Sequence, residues 1–261
     1  METEKIKKPK SVCLIPARYD ATRYPGKLLG ILKKGNGVEK SVIRATYENI
    51  LSMNLFDYVA IVTNSDSIND EIKKHGGNVI YINKEYESGT DRIADSLDLI
   101  DADVIVNVQG DEPFVKREPL VDLINFISTQ PDEIMVGSLM RLMDNQSHIR
   151  SSDFVKVVCD KDDFALFFSR SIIPFPKKPE FKPSYYEHVG VYIFTRKALL
   201  KFQELTPTPL EQIESVECLR YLENGIPIKM IKTPYLILEI DTETDLKMAN
   251  DLLKEGKLNL D

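Results

Sequence analysis

The sequence predicts an α/β fold, a doubly wound and mostly parallel sheet with antiparallel additions in its second half. Three observations predict it. Short β-branched runs alternate with helix-period segments as far as residue 108. Beyond Glu133, apolar runs follow one another across turns rather than helices. Polar loops containing Pro and Gly follow the first and fourth apolar runs, at the edge where open α/β sheets bind ligands.

SVCLIPA (residues 11–17) is the first strand, and residues 41–53 carry helical periodicity. YVAIVT (58–63) is the second strand. The helix over 67–75 ends at Gly76-Gly77, as C-terminal glycines suggest. Residues 78–82 form a third strand, 90–100 a third helix, and DVIVNV (103–108) a buried fourth strand opening into QGDEP. MVGSLM, FVKVVCD, FALFFSR and YEHVGVYIF read as further strands, and the Pro/Lys-rich stretch 172–185 as a loop or arm. Helices are expected over 195–205 and 209–223, a strand pair over 228–240, and a last helix from 243 to about 253. No repeat or linker divides the chain, so residues 1–261 read as one domain with an antiparallel excursion at about 142–195.

The chain has 261 residues, 43% hydrophobic and 29% charged, with a formal charge of −7. No basic stripe suggests a nucleic acid, and no apolar run is long enough to span a membrane. The N-terminal METEKIKK is not followed by the apolar stretch of a secretion signal, so a cytoplasmic protein is expected. Cys13, Cys159 and Cys218 lie far apart among apolar residues, and only three histidines are available. That excludes zinc-site spacing and predicts buried free thiols in a reducing compartment.

The first loop, IPARYDATRYPGKLLG, is neither a Walker loop nor a GxGxxG turn, since Ala21 and Leu28 stand at key positions. It does place Arg18, Arg23 and Lys27 close together at the ligand edge. Such a loop is either a solvated basic segment or an anion cradle, assisted by main-chain N–H groups.

With ESGTDRIAD, VNVQGDEP, VKVV-D, ALFFSRSIIP, EHVGVYIF, PLEQIE and DTETDL, in order and spacing, this loop resembles the 3-deoxy-manno-octulosonate (KDO) cytidylyltransferase family. The resemblance covers about residues 11–253. It implies a nucleotide-diphospho-sugar transferase-like fold, CTP and the acid sugar KDO as substrates, Mg²⁺ as cofactor, a role in lipopolysaccharide synthesis and a homodimer. Asp111 and Asp241 would converge on the metal, with Lys27 the third catalytic group. Ala17, Arg18, Arg23, Lys27 and Gln109 would bind the nucleotide. Gln109, Arg170, His188, Tyr192, Glu211, Gln212 and Arg92 would bind the sugar, Arg170 gripping its carboxylate as a planar fork. Glu112 is expected to turn away to a structural partner.

Several of these positions carry a plainer alternative. Asp241 precedes Thr242-Glu243-Thr244-Asp245, which has the form of a helix capping box. Glu211 has the place of a helix-start acid. Arg92 can pair with Asp91 or Asp95, Arg170 can be a surface residue at a strand end, and a lone histidine is usually structural. His188 and Tyr192, four apart, share one face of a strand. The chain also departs from the family pattern at Asn64-Ser65-Asp66, in the long segment 30–40 and at Phe175. These departures leave room for another acid sugar, such as a sialic acid or an 8-amino KDO analogue. A hexose-1-phosphate nucleotidylyltransferase is disfavoured because its Gly-rich first loop is missing. A non-enzymatic nucleotide-binding module would not need Lys27, Asp111 and Asp241 together.

Overall fold

Every residue of the first apolar run is buried, and successive residues face opposite ways. Val12 and Leu14 enter one apolar cluster, Cys13 and Ile15 the other, so the strand is covered on both sides. The computed structural model describes residues 10–20, 24–34, 37–86, 88–128, 135–178, 180–235 and 238–260.

The first half contains β1 (Ser11–Ala17), a 3-10 turn (Lys27–Leu29), β2 (Ile31–Lys33), β3 (Glu39–Ser41), α1 (Val42–Ser52) and β4 (Tyr58–Thr63). It continues through α2 (Asp66–Lys74), β5 (Val79–Tyr81), α3 (Gly89–Asp95), a 3-10 turn (Leu97–Leu99), β6 (Val104–Asn107) and α4 (Arg117–Ile127). The second half contains β7 (Val136–Met143), α5 (Gln146–Arg150), β8 (Lys156–Cys159), β9 (Ala165–Ser169) and β10 (Tyr185–Thr195). It closes with α6 (Arg196–Glu204), α7 (Pro209–Glu214), α8 (Leu219–Glu223), β11 (Ile228–Lys232) and α9 (Glu243–Lys254).

The main sheet runs β11-β7-β10-β6-β1-β4-β5, with β8 and β9 hung from β10. β6, β1, β4 and β5 are mutually parallel, and β11 is parallel to β7. Only β10 is reversed along this path, antiparallel to both β6 and β7. Apolar faces of α1, α2, α4 and α9 cover one side of the sheet. Those of α3, α6 and α8 cover the other, which is the doubly wound arrangement expected.

Some expectations change. Residues 30–40 include the hairpin β2–β3, and α4 fills a stretch to which no element was assigned. The helix expected over 209–223 is broken at Ser215, whose φ of 52° is left-handed and ends α7. The strand pair expected over 228–240 is β11 alone among the described residues; positions 236 and 237 lie outside them. Cys13 and Cys218 are buried, but Cys159 is half-buried. No helix among the described residues is long and apolar enough to cross a membrane.

Candidate functional site

Three distant segments meet beyond the carboxyl ends of β1 and β6. In the first, the Gly26 N–H donates to the Tyr19 carbonyl at 3.0 Å and closes the loop after β1. Gly26 adopts a φ of 72°, which a side chain disfavours, and this turn starts Lys27 on its 3-10 helix. In the second, the QGDEP segment packs so closely against β1 that a Cβ on Gly110 would lie 2.9 Å from Ile43 and 3.2 Å from the Pro16 carbonyl. Thr46 holds it there, donating its hydroxyl to the Gly110 carbonyl at 2.8 Å. The third segment precedes α9. Ile240 N–H donates to the Asp111 carbonyl at 2.9 Å, which sets the two aspartates side by side.

Lys27 Nζ donates to Asp111 Oδ2 and, at 2.6 Å, to Asp241 Oδ1. Burial opposes the ammonium, but the two carboxylates outweigh it and hold the group above the ordinary lysine range. Asp241 also keeps its place before the cap, because Thr242 and Asp245 form the capping box of α9. The metal and capping readings of this stretch are therefore compatible. Glu239 joins the group, and one carboxylate oxygen each from Asp111, Glu239 and Asp241 lie within 4.8 Å of one another. Octahedral Mg²⁺ with bonds of about 2.1 Å would hold opposite ligands about 4.2 Å apart, so a small adjustment fits these hard oxygen donors to it. Glu239 is not among the expected site residues; it lies two residues before Asp241 in a segment that is not a strand.

A structural partner is expected of Glu112, and none meets its Oε2 among the described residues. The residue is 3% exposed. Burial first, then Glu239, Asp111 and Glu187, push its carboxyl well above the usual range.

Gln109 sits between the start of α3 and β10. A Cβ on Gly89 would lie 3.4 Å from its Oε1, and one on Gly190 would lie 3.6 Å from its Cγ. Its Nε2 donates to Asn107 Oδ1 at 3.3 Å, and Asn107 pairs with Tyr192 across β6 and β10. His188 and Tyr192 do share a face, with ring centroids 5.3 Å apart. His188 lies 3.0 Å from the Ser138 hydroxyl, and burial pushes its pKa down to about 3. The ring is neutral at working pH.

Other expected residues lie in separate networks. Ala17 ends β1, and Arg18 is exposed at the rim of a cleft of about 520 Å³ lined also by Tyr19, Asp20, Asn64, Ser65 and Glu85. Arg23 lies outside the described residues. Arg92 is buried and donates to Asn64 Oδ1 at 2.9 Å, with its guanidinium 5.0 Å from the Tyr86 ring centre, rather than pairing with Asp91 or Asp95. Arg170 spends its fork on the carbonyls of Glu214 (2.7 Å), Ser152 (2.8 Å) and Ser215 (3.4 Å). Glu211 gives both oxygens to Arg220, at 2.6 and 2.9 Å, while Gln212 beside it is exposed. Arg220 also reaches Asp91 on α3 at 2.8 Å, and Glu217 accepts from Thr90 at 2.7 Å. This α3–α7–α8 network escaped sequence reasoning because each member reads alone as an ordinary helical charge.

The arrangement of a basic loop, an ammonium and a cluster of carboxylates at one sheet edge suits transfer of a phosphoryl-linked group. The family described as cytidylyltransferase matches residues 12–232, and the chain belongs to it. Within it, the chain is 45% identical over 94% of its length to the 3-deoxy-manno-octulosonate cytidylyltransferase of Flavobacterium johnsoniae, covering 99% of that protein. Identity to the protein of the same name from Christiangramia forsetii is 44%, over 94% of this chain and 98% of that one. A solved CMP:2-keto-3-deoxy-manno-octonic acid synthetase in complex with CTP superposes with a TM-score of 0.86 at 32% identity, covering 95% of this chain and all of that one. This chain is a member of the 3-deoxy-manno-octulosonate cytidylyltransferase family.

Proposed function

We propose that the chain transfers the cytidylyl group of CTP to KDO, giving CMP-KDO and diphosphate for lipopolysaccharide synthesis in the cytoplasm. The observation that carries this reading is near full-length kinship at 45% identity with a protein of that name, joined to the charge cluster at Lys27. The sugar's anomeric hydroxyl attacks the α-phosphorus and diphosphate leaves. Such a step depends mostly on positioning and on neutralising charge.

In this reading Arg18 and Arg23 hold the triphosphate beside the end of Ala17. Lys27 meets the charge that grows on the departing diphosphate. Asp111 and Asp241 would hold Mg²⁺, which when bound supplies Lewis-acid neutralisation of phosphate oxygens. Gln109, standing between the start of α3 and β10, contacts both substrates. The neutral His188 imidazole and the Tyr192 hydroxyl offer hydrogen bonds to sugar hydroxyls. Glu211, Gln212 and Arg92 complete the sugar side in the reading from resemblance. Glu211 and Arg92 are already engaged within the protein, which makes them supports of the wall rather than free hands. Arg170 would have to release carbonyls to grip the sugar carboxylate, so a cost accompanies its binding.

The excursion at 142–195 exposes Leu166, Phe175 and Phe181, at 62, 81 and 65%, which favours a self-association surface and a homodimer. The test of function is diphosphate release from CTP with a panel of acid sugars. Release with KDO and none with N-acetylneuraminic acid is expected. The opposite preference would move the chain to another acid-sugar specificity, and release with neither would discard the reading.

A further inference from the structure

The ammonium of Lys27 stands where the three-carboxylate cluster converges. It bonds two of the three carboxylates that would face a divalent cation; Lys27, Asp111 and Asp241 are largely withdrawn from solvent, and Glu239 is exposed at the edge of the group. A fourth carboxyl, Glu112, lies within electrostatic range of Glu239 and Asp111 and has an unpartnered Oε2 among the described residues. An ammonium bonded to Asp111 and Asp241 repels a divalent ion drawn to the same two carboxylates, so the two cations compete for this site.

We propose that Lys27 and a divalent cation are alternative occupants of one site walled by Asp111, Asp241 and Glu239, and that the cation gains full access only when Lys27 is drawn to an anionic substrate. The proposal rests on the reading of Lys27, Asp111 and Asp241 as the nucleotidyl-transfer centre. It adds Glu239 as a third donor and gives Lys27 a task before the reaction. Phosphate oxygens compete with the aspartates for the same three N–H donors. As Lys27 turns to them, the carboxylates become available, so nucleotide and cation strengthen each other's binding by the same factor. Without nucleotide, the lysine guards the site against stray divalent ions and shields the carboxylates from one another.

The test uses Mn²⁺ alone, with free ion read by electron paramagnetic resonance and neither CTP nor sugar present. Lys27→Met, which keeps the aliphatic stem, should bind Mn²⁺ about tenfold tighter than the wild type, a usual size for coupling between ligands. Lys27→Met combined with Glu239→Gln should lose most of that gain. Equal or weaker binding by folded Lys27→Met would overturn the proposal, and an unchanged gain in the double variant would remove Glu239 from the site. Should Lys27→Met not fold, the wild type still decides. Saturating Mn²⁺ should raise acylation of the Lys27 amine several-fold relative to exposed Lys161, mapped by mass spectrometry. No rise would overturn the exchange. Because no substrate is present, these results stand apart from the diphosphate-release assay, which alone judges the proposed reaction.

Discussion

At the scale of a single residue, Lys27 and His188 carry separable consequences, one for turnover and one for stability. In the proposed reaction Lys27 meets charge that grows on the leaving group, so Lys27→Met should lower kcat more than it weakens CTP binding. Steady-state kinetics with CTP varied decides this; weaker CTP binding at unchanged kcat would make Lys27 a simple anchor. His188 offers a second test, in stability. Its folded pKa, about 3, lies below its unfolded value near 6.5, so the folded state resists protonation. The sign follows: stability tied to the neutral ring is present above about pH 6.5 and is lost as pH falls from there towards about 3. Thermal midpoints of wild type and His188→Asn should therefore converge as the medium is acidified through that window. A constant gap would mean that the ring takes up its proton without cost.

At the scale of elements, the buried parallel strands were the most legible part of the sequence. β1, β4 and β6 lie between two helical layers, so their code is an unbroken apolar run, which few other structures produce. α4 was illegible because Arg117-Glu118-Pro119 opens it without a side-chain cap. The break between α7 and α8 was equally hidden, since Ser215 gives no glycine signal for its left-handed turn. At the site, Asp111 and Asp241 were legible only through resemblance, since pairing across the chain leaves no local pattern. Arg220 was hidden for the same reason, and its role is testable. Arg220→Met leaves Glu211 and Asp91 without their cation, a loss of about 3–5 kcal/mol for a buried pair. Chemical denaturation should show it, while Arg220→Lys should recover only part because one ammonium cannot fork to both acids. A loss no larger than that of an exposed pair would mean that the helices rest on apolar packing alone.

At the scale of the whole molecule, the cluster ties residue 27 to residue 241, so a ligand there braces the loop after β1 against the segment before α9. Mg²⁺ with CTP at about 100 times their dissociation constant should add about 2.7 kcal/mol to the stability of the fold. For a chain of this size each kcal/mol is worth about 2–4 °C in Tm. Differential scanning fluorimetry should show that rise for the wild type, and Asp111→Asn should lose the part that depends on Mg²⁺. An equal Mg²⁺-dependent rise in that variant would exclude Asp111 as a metal ligand.

The pairing of β10 with β7 slips between Val189 and Tyr192: Val189 faces Leu139 and Tyr192 faces the next residue back, Ser138. Gly190 and Val191 are therefore two extra residues where a regular ladder has none, since Leu139 and Ser138 are adjacent. Because side chains alternate along a strand, two such steps restore the parity that a single step would reverse. Changes of chain length through this stretch are thus constrained to even numbers. A single deletion would carry His188 to the opposite face and swing Glu187 inwards. Lineages that lengthen or shorten this strand should do so by pairs of residues, and a library of insertions and deletions here should return active members in that alternating rhythm.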